Sequence, residues 1–294
     1  MIPPARLLEP REDLTAQIRA VLDRDPIVNC FLHSRLKPLL DNPSQTGQSV
    51  ARSGQSIRGS IGGDLWLYEQ DGEIVALCYA GANLVPTAAS DSAIESFAQR
   101  ARRVGRHSSS IVGPKESVLG LWERLVDAWG PARAVREHQP LLAIDHRPAV
   151  VADKLVRRVE PVEILELLPA SVAMFTEELG VSPLGADGGA LYRTKLAELI
   201  ARGSVFARFE SGEVIFKCEL GAISPSACQI QGVWTKNNRR GEGIGTAGLA
   251  RVVEIALEIA PVVCLYVNDF NIAARRSYEK IGFDEVSAFA SVLF

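Results

Sequence analysis

The chain has 294 residues, 47% of them apolar and 23% charged, and a net charge of −3 at pH 7. Such a chain can bury a core and is long enough for two domains of ordinary size. It lacks the strongly basic footprint of a nucleic-acid binder, and no stretch nears the roughly 18 unbroken apolar residues of a membrane span. The start, MIPPARLLEPREDL, has no apolar leader run, so a cytoplasmic protein is expected. Five cysteines, Cys30, Cys78, Cys218, Cys228 and Cys264, are scattered without a CxxC pair. Buried free thiols are expected there, and no metal site.

Residues 14–40 are expected to be helical, with Leu14, Ile18, Val21 and Leu22 at helical spacing. Asn42–Gly63, rich in Gly and Ser, reads as a mobile loop, with a substrate lid as the alternative. Two apolar runs then flank Gln70-Asp71-Gly72, and Asp-Gly between such runs marks a β-hairpin. A helix with a Ser or Asp cap follows over Ser90–Arg106. A strand at Ser108–Pro114, a helix at Glu116–Gly130 and a strand at Gln139–Asp145 come next, and His146–Lys154 reads as a linker.

Beyond the linker the order recurs. A strand at Leu155–Pro161 leads to helices at Val162–Gly180 and Ala190–Gly203 and a hairpin around Ser211-Gly212. A strand at Cys228–Thr235, a glycine turn and its helix, a strand at Val262–Val267, a short helix and a closing strand at Ala288–Phe294 complete the chain. Two domains of related α+β architecture are expected, 1–147 and 154–294, each an antiparallel-rich sheet flanked by helices.

The turn is the most informative stretch. Arg240, Gly243 and Gly245 form R-x-x-G-x-G, and Gly241 adds another glycine. Leu249, Val252, Val253, Ala256, Leu257 and Ala260 mark one apolar face of the helix beyond it. A helix N-terminus offers free N–H groups and a positive dipole end, and glycine lets backbone approach an anion closely. A pyrophosphate suits this design. Two other readings stay open: a tight turn that merely needs glycine, and the dinucleotide fingerprint G-x-G-x-x-G, matched by Gly243, Gly245 and Gly248. Against the fingerprint, six polar residues separate the glycines from their strand, late in the chain.

After the next strand comes N-x-x-A-x-x-x-Y-x-x-x-G-F, with Asn271 placed as a helix cap and Gly282 as its terminator. Asn271 and Tyr278 lie two turns apart on one helix face. As a pair, the two segments resemble the acetyl-CoA-binding motifs of the GNAT superfamily of N-acetyltransferases. The resemblance runs from about Val156 to Phe294 and is sharpest from Gln231 to Phe283. Residues 1–147, through YAGANLVP, more loosely resemble the extra domain of two-domain GNAT proteins of actinobacteria. They lack the glycine turn, which implies a degenerate GNAT-like domain that binds no acyl-CoA in the usual way.

The resemblance implies a tandem GNAT-like acyl-CoA N-acyltransferase fold and an acetyltransferase using acetyl-CoA as co-substrate. Main-chain groups of Val233, Trp234 and Thr235 would pair with the pantetheine arm, one N–H polarising the thioester carbonyl. Arg240, Gly241, Glu242, Gly243, Ile244 and Gly245 would cradle the pyrophosphate. Asn271 would hydrogen-bond the cofactor, and Tyr278 would protonate the departing thiolate. The acceptor would be a primary amine of a small molecule or protein, which must lose a proton before it attacks. All four histidines precede Asp153, so a carboxylate is the expected base. Glu219, within apolar IFKCELGAI, is the first choice, where burial would favour proton uptake. The alternative is a Glu219 that faces solvent or pairs with Lys217 or Arg208. Glu177 and Glu178 are reserves, as bases or as binders of a cationic substrate. The alternative function is a non-catalytic acyl-CoA-binding regulatory module.

Overall fold

Hydrophobic patterning folds into alternating helices and short strands in the computed structural model, which describes residues 11–41, 56–59, 61–185 and 188–294. The chain divides into two compact units, Met1–Leu141 with Ser287–Phe294, and Leu142–Val286. Relative to the expected bounds, the closing strand sits with the first unit. It does so because Phe289–Leu293 pair antiparallel with Ser110–Pro114, and Ala290 and Val292 are buried in that unit's core.

The first unit begins with α1 (Arg11–Leu22) and α2 (Cys30–Asp41). The helical region expected over 14–40 is thus two helices, broken near Asp25-Pro26, where proline cannot continue a helix. Most of the expected loop at 42–63 lies outside the described residues. Within it, Ser56–Gly59 forms a strand, β1, paired antiparallel with β2 (Gly63–Gln70), so that part is sheet. Asp71 and Gly72, both at positive φ, turn β2 into β3 (Glu73–Ala80) as the hairpin pattern predicts. A short strand missing from the sequence reading, β4 (Asn83–Pro86), precedes α3 (Asp91–Val104), β5 (Ser110–Pro114) and α4 (Lys115–Trp129). The chain leaves this unit along β6 (Ala134–Ile144) and returns to it along β12 (Asp284–Leu293).

The second unit holds β7 (Arg157–Arg158), α5 (Ile164–Leu179), α6 (Ala190–Ala201), β8 (Val205–Glu210), β9 (Glu213–Ile223) and β10 (Ala227–Thr235). Then come α7 (Ile244–Leu257), β11 (Val262–Tyr266) and α8 (Ile272–Ile281). Neighbouring strands run in the order β11-β10-β9-β8-β7, all antiparallel except β10 with β11. One sheet face packs Phe216, Cys218 and Leu220 against α7 and α8. The other sets Val205, Ala207, Val214 and Trp234 against leucines of α5 and α6. All five cysteines are buried and free, as expected.

Gly248 decides how closely α7 approaches the sheet. A Cβ there would lie 2.8 Å from the ring of Phe216, which is wholly buried. Helix propensity favours alanine over glycine by about 1 kcal/mol. Overpacking against an immovable ring costs about 1–3 kcal/mol, so the clash wins. Gly248→Ala is expected to lower the urea midpoint; an unchanged or raised midpoint refutes this account of the packing.

Candidate active site

The site is built where β10 and β11 part. Their parallel ladder runs from Ala227↔Val262 to Gln229↔Cys264 and stops, while β10 continues to Thr235. Residues 230–235 therefore present one strand edge without a ladder partner from β11. On its other side β10 stays paired with β9, but the register slips between Gln231↔Glu219 and Trp234↔Lys217. That slip is a β-bulge containing Gly232 and Val233. Gly232 sits at φ +60, a left-handed conformation that glycine adopts without penalty. The bulge bends β10, and a bent strand with an open edge can accept an extended polar chain as an added strand.

The open edge leads into the glycine turn. Gly241 and Gly243 both have left-handed φ, near +83 and +82. Gly243 is the N-cap of α7 and supplies no side-chain cap, so the first N–H groups of α7 have no side-chain partner. Gly245 has a different role: a Cβ there would come 2.8 Å from Oγ1 of Thr235, so the helix start lies against the end of β10. Gly248, the last glycine of the dinucleotide pattern, is needed for the packing on Phe216 described above. Ile244 is buried and anchors the first turn. Glu242 is exposed and pairs with Arg239, whose guanidinium is shared with Glu210. Arg240 is the half-exposed arginine of the pair: Nε donates to the Thr235 carbonyl at 3.0 Å, and Nη2 lies 2.5 Å from Oε2 of Glu177.

Asn271 caps α8, its Oδ1 accepting from the Ala274 N–H at 3.2 Å. Tyr278, two turns on, is buried beside Phe283 at 6.0 Å between ring centroids. Burial pushes its phenol well above the ordinary tyrosine range, and Cys218 and Glu178 add to the rise, so it keeps its proton at neutral pH.

Glu219 is buried and does not face solvent. It pairs with Lys217, Nζ to Oε1 at 2.5 Å, and its Oε2 accepts from Gln231 Nε2 at 3.1 Å. Arg208 pairs instead with Asp153 and Glu210. Lys217 is wholly buried and also reaches the Gly232 carbonyl at 3.4 Å, at the bulge itself. Alternation in β9 explains the pair, because residues 217 and 219 point to one face. Gly221 completes the cluster: a Cβ there would overlap the Gln231 amide at 2.2 Å. Sequence reasoning missed Gln231 and Tyr192. Tyr192 of α6 donates to the Ser171 carbonyl at 3.0 Å, and burial first, then the charges of Glu219 and Glu178, raise its phenol. No sequence pattern marks Gln231, because its place opposite Glu219 is set by the ladder register.

A strand edge held open beside an uncapped helix start, on a mixed sheet of this order, is an α+β fold of the acyltransferase type. Residues 176–283 match the model of the acetyltransferase (GNAT) family, and this part of the chain is a domain of that family. Proteins of the family transfer acyl groups from acetyl-CoA. Residues 63–167 match a domain of unknown function, DUF4081. No curated protein matches the chain. Among solved structures, the chain is similar to a GNAT-family acetyltransferase from Colwellia psychrerythraea, at 13% identity, 98% coverage of both chains and a TM-score of 0.54. It is similar to a Drosophila protein at 12% identity, 97% of both chains and 0.58. A GCN5-related N-acetyltransferase from Sphaerobacter thermophilus is 15% identical over 96% of this chain and 93% of its own, at 0.53. At these identities the likeness is one of fold.

Removing one member of the buried pair strands the other. Glu219→Leu leaves the Lys217 ammonium wholly buried without its carboxylate, at a cost of about 3–5 kcal/mol. Replacing both, Lys217→Met with Glu219→Leu, is expected to recover most of the loss. Urea unfolding of the two variants checks this, and a double variant no better than the single one overturns it.

Proposed function

We propose that the second unit transfers the acetyl group of acetyl-CoA to a primary amine by direct attack in a ternary complex. The observation that carries the reading is the open edge of β10 leading into an uncapped glycine turn beside Arg240. The fit is one of chemistry: main-chain groups of Val233, Trp234 and Thr235 suit the amides of pantetheine. The N–H groups and missing Cβ atoms of the turn from Arg240 through Gly241, Glu242, Gly243 and Ile244 to Gly245 suit a pyrophosphate. Asn271 Oδ1 is engaged in its cap, which leaves the amide NH2 to donate to the cofactor.

Each step then has a residue. Glu219 takes the proton from the incoming ammonium, directly or through water. An N–H of the bulged strand stabilises the charge that develops on the thioester oxygen as nitrogen attacks. Tyr278, protonated at neutral pH, gives its proton to the thiolate as the C–S bond breaks, and the surplus proton on the new amide nitrogen passes through water to restore the phenol. We take residues 1–147 as a degenerate GNAT-like domain without acyl-CoA, and the compartment as cytoplasmic, a reading the free thiols support. Among the described residues no helix is long and apolar enough to cross a membrane.

A second reading, a non-catalytic acyl-CoA-binding regulatory module, is favoured by the engagement of both Glu219 oxygens inside the fold. Calorimetry and free-thiol release separate the two. Acetyl-CoA is expected to bind, and at least one of a panel of amines, peptides and aminoglycosides to drive thiol release. Absence of binding at millimolar ligand refutes both readings; binding without thiol release for any amine leaves the module. With a responsive amine in hand, Tyr278→Phe is expected to bind acetyl-CoA normally and lose about a hundredfold or more in kcat. Unchanged turnover removes Tyr278 from the mechanism.

A further inference from the structure

Glu177 stands at an unusual place for a carboxylate. It lies in the last turn of α5, where the helix dipole is negative and no basic residue compensates it. Glu178 follows it directly. Yet two groups from beyond the helix hold its side chain. Oε2 lies 2.5 Å from Nη2 of Arg240, and Oε1 accepts from Nε1 of Trp234 at 3.1 Å. Arg240 is in turn tied by Nε to the Thr235 carbonyl, so its guanidinium is held at the end of β10 with Glu177 at Nη2.

We infer that Glu177 is an affinity-setting residue of the cofactor site: its carboxylate occupies on Arg240 the place of a phosphate and must leave before a phosphate is held there. This rests on the reading of the glycine turn as a phosphate site. The chemistry of the two anions is the same, since a guanidinium binds carboxylate and phosphate through one planar fork. Both cannot sit at Nη2 without like-charge repulsion. Arg239 offers no substitute, because Glu210 and Glu242 already neutralise it.

The contact is built to yield. Arg240 and Glu177 side chains are 49% and 38% exposed, and an ion pair so hydrated is weak. A phosphate gains the N–H groups of α7 and its dipole as well as the arginine, whereas Glu177 has the arginine against its own helix dipole. Its departure also removes the acceptor from Trp234, which lines a cavity of about 550 Å³ with Glu166, Ala173, Glu177, Val214 and Asn237. Filling the turn therefore frees the end of α5 from β10.

Calorimetric titration of coenzyme A into the full chain tests this, using wild type, Glu177→Gln and Glu166→Gln. Glutamine keeps an acceptor for Trp234 and removes only the charge. At low ionic strength Glu177→Gln is expected to bind coenzyme A about two- to fivefold tighter, with the gain shrinking as salt screens the pair. Glu166→Gln, on the same helix and cavity wall but three turns earlier, is expected to match wild type. Coenzyme A should also shift tryptophan emission in wild type, and much less in Glu177→Gln. If the wild type binds but Glu177→Gln binds no tighter, or Glu166→Gln gains as much, the inference is overturned and the proposed function stands. If no variant binds coenzyme A, both fall.

Discussion

Everything in the second unit depends on one broken ladder. Parallel strands β10 and β11 pair for three residues and then separate, while antiparallel pairing with β9 keeps β10 in place. A strand with an unpaired edge is ordinarily a hazard, because its N–H and C=O groups invite any other strand. Here the bulge at Gly232 bends that edge, and the glycine turn closes off its end. The opening is thus a defined slot with backbone donors and acceptors along one wall and a helix N-terminus at its mouth. Glycine is needed at different points for different reasons: conformation at Gly232, Gly241 and Gly243, and contact at Gly245 and Gly248.

The same slip brings a buried charge pair to the sheet. An ammonium and a carboxylate inside a small domain contribute little stability, since desolvation offsets most of their attraction. Lys217 and Glu219 hold the bulge by reaching the Gly232 carbonyl inside it and the amide of Gln231, the last paired residue before it. Apolar side chains could fill that volume but could not specify where the extra residue sits. A polar network that is fully partnered can do so. It also keeps a carboxylate beside the slot.

What the residues disclosed beforehand was local chemistry; what they concealed was partnership across long separations. Asp71-Gly72 and Ser211-Gly212 announced their hairpins, because two-residue turns need positive φ. The R-x-x-G-x-G turn and the Asn271–Tyr278 spacing were legible for the same reason: each depends on residues within one helix or turn. The break in the first helical region was visible at Pro26 and was overridden by an apolar periodicity that continues past it. Strand Ser56–Gly59 hid in a polar, glycine-rich stretch, since an edge strand needs no apolar run. Ser287–Phe294 carries strand patterning but no mark of which unit it joins. Glu177 meets Arg240 across 63 positions of chain, and no spacing rule reaches that far.

The two units show how little separates a capped helix start from one left open. Both run through a helix pair, a hairpin, a strand, a helix and a strand in the same order. In the first, α3 starts with Ser90 as its cap, the hydroxyl accepting from the Ala93 N–H at 3.4 Å, and with Asp91 in its first turn. A side chain has taken one of the free N–H groups, and a negative charge occupies the end of the dipole. In the second, α7 starts at a glycine with left-handed φ, no side-chain cap and no acid in its first turn, and an arginine waits three residues before it. Capping makes α3 self-sufficient, and its absence leaves α7 incomplete. A helix start that its own sequence leaves uncapped is the feature on which the proposed anion site rests, and the carboxylate of Glu177, held on Arg240, is an anion the fold itself brings to that turn.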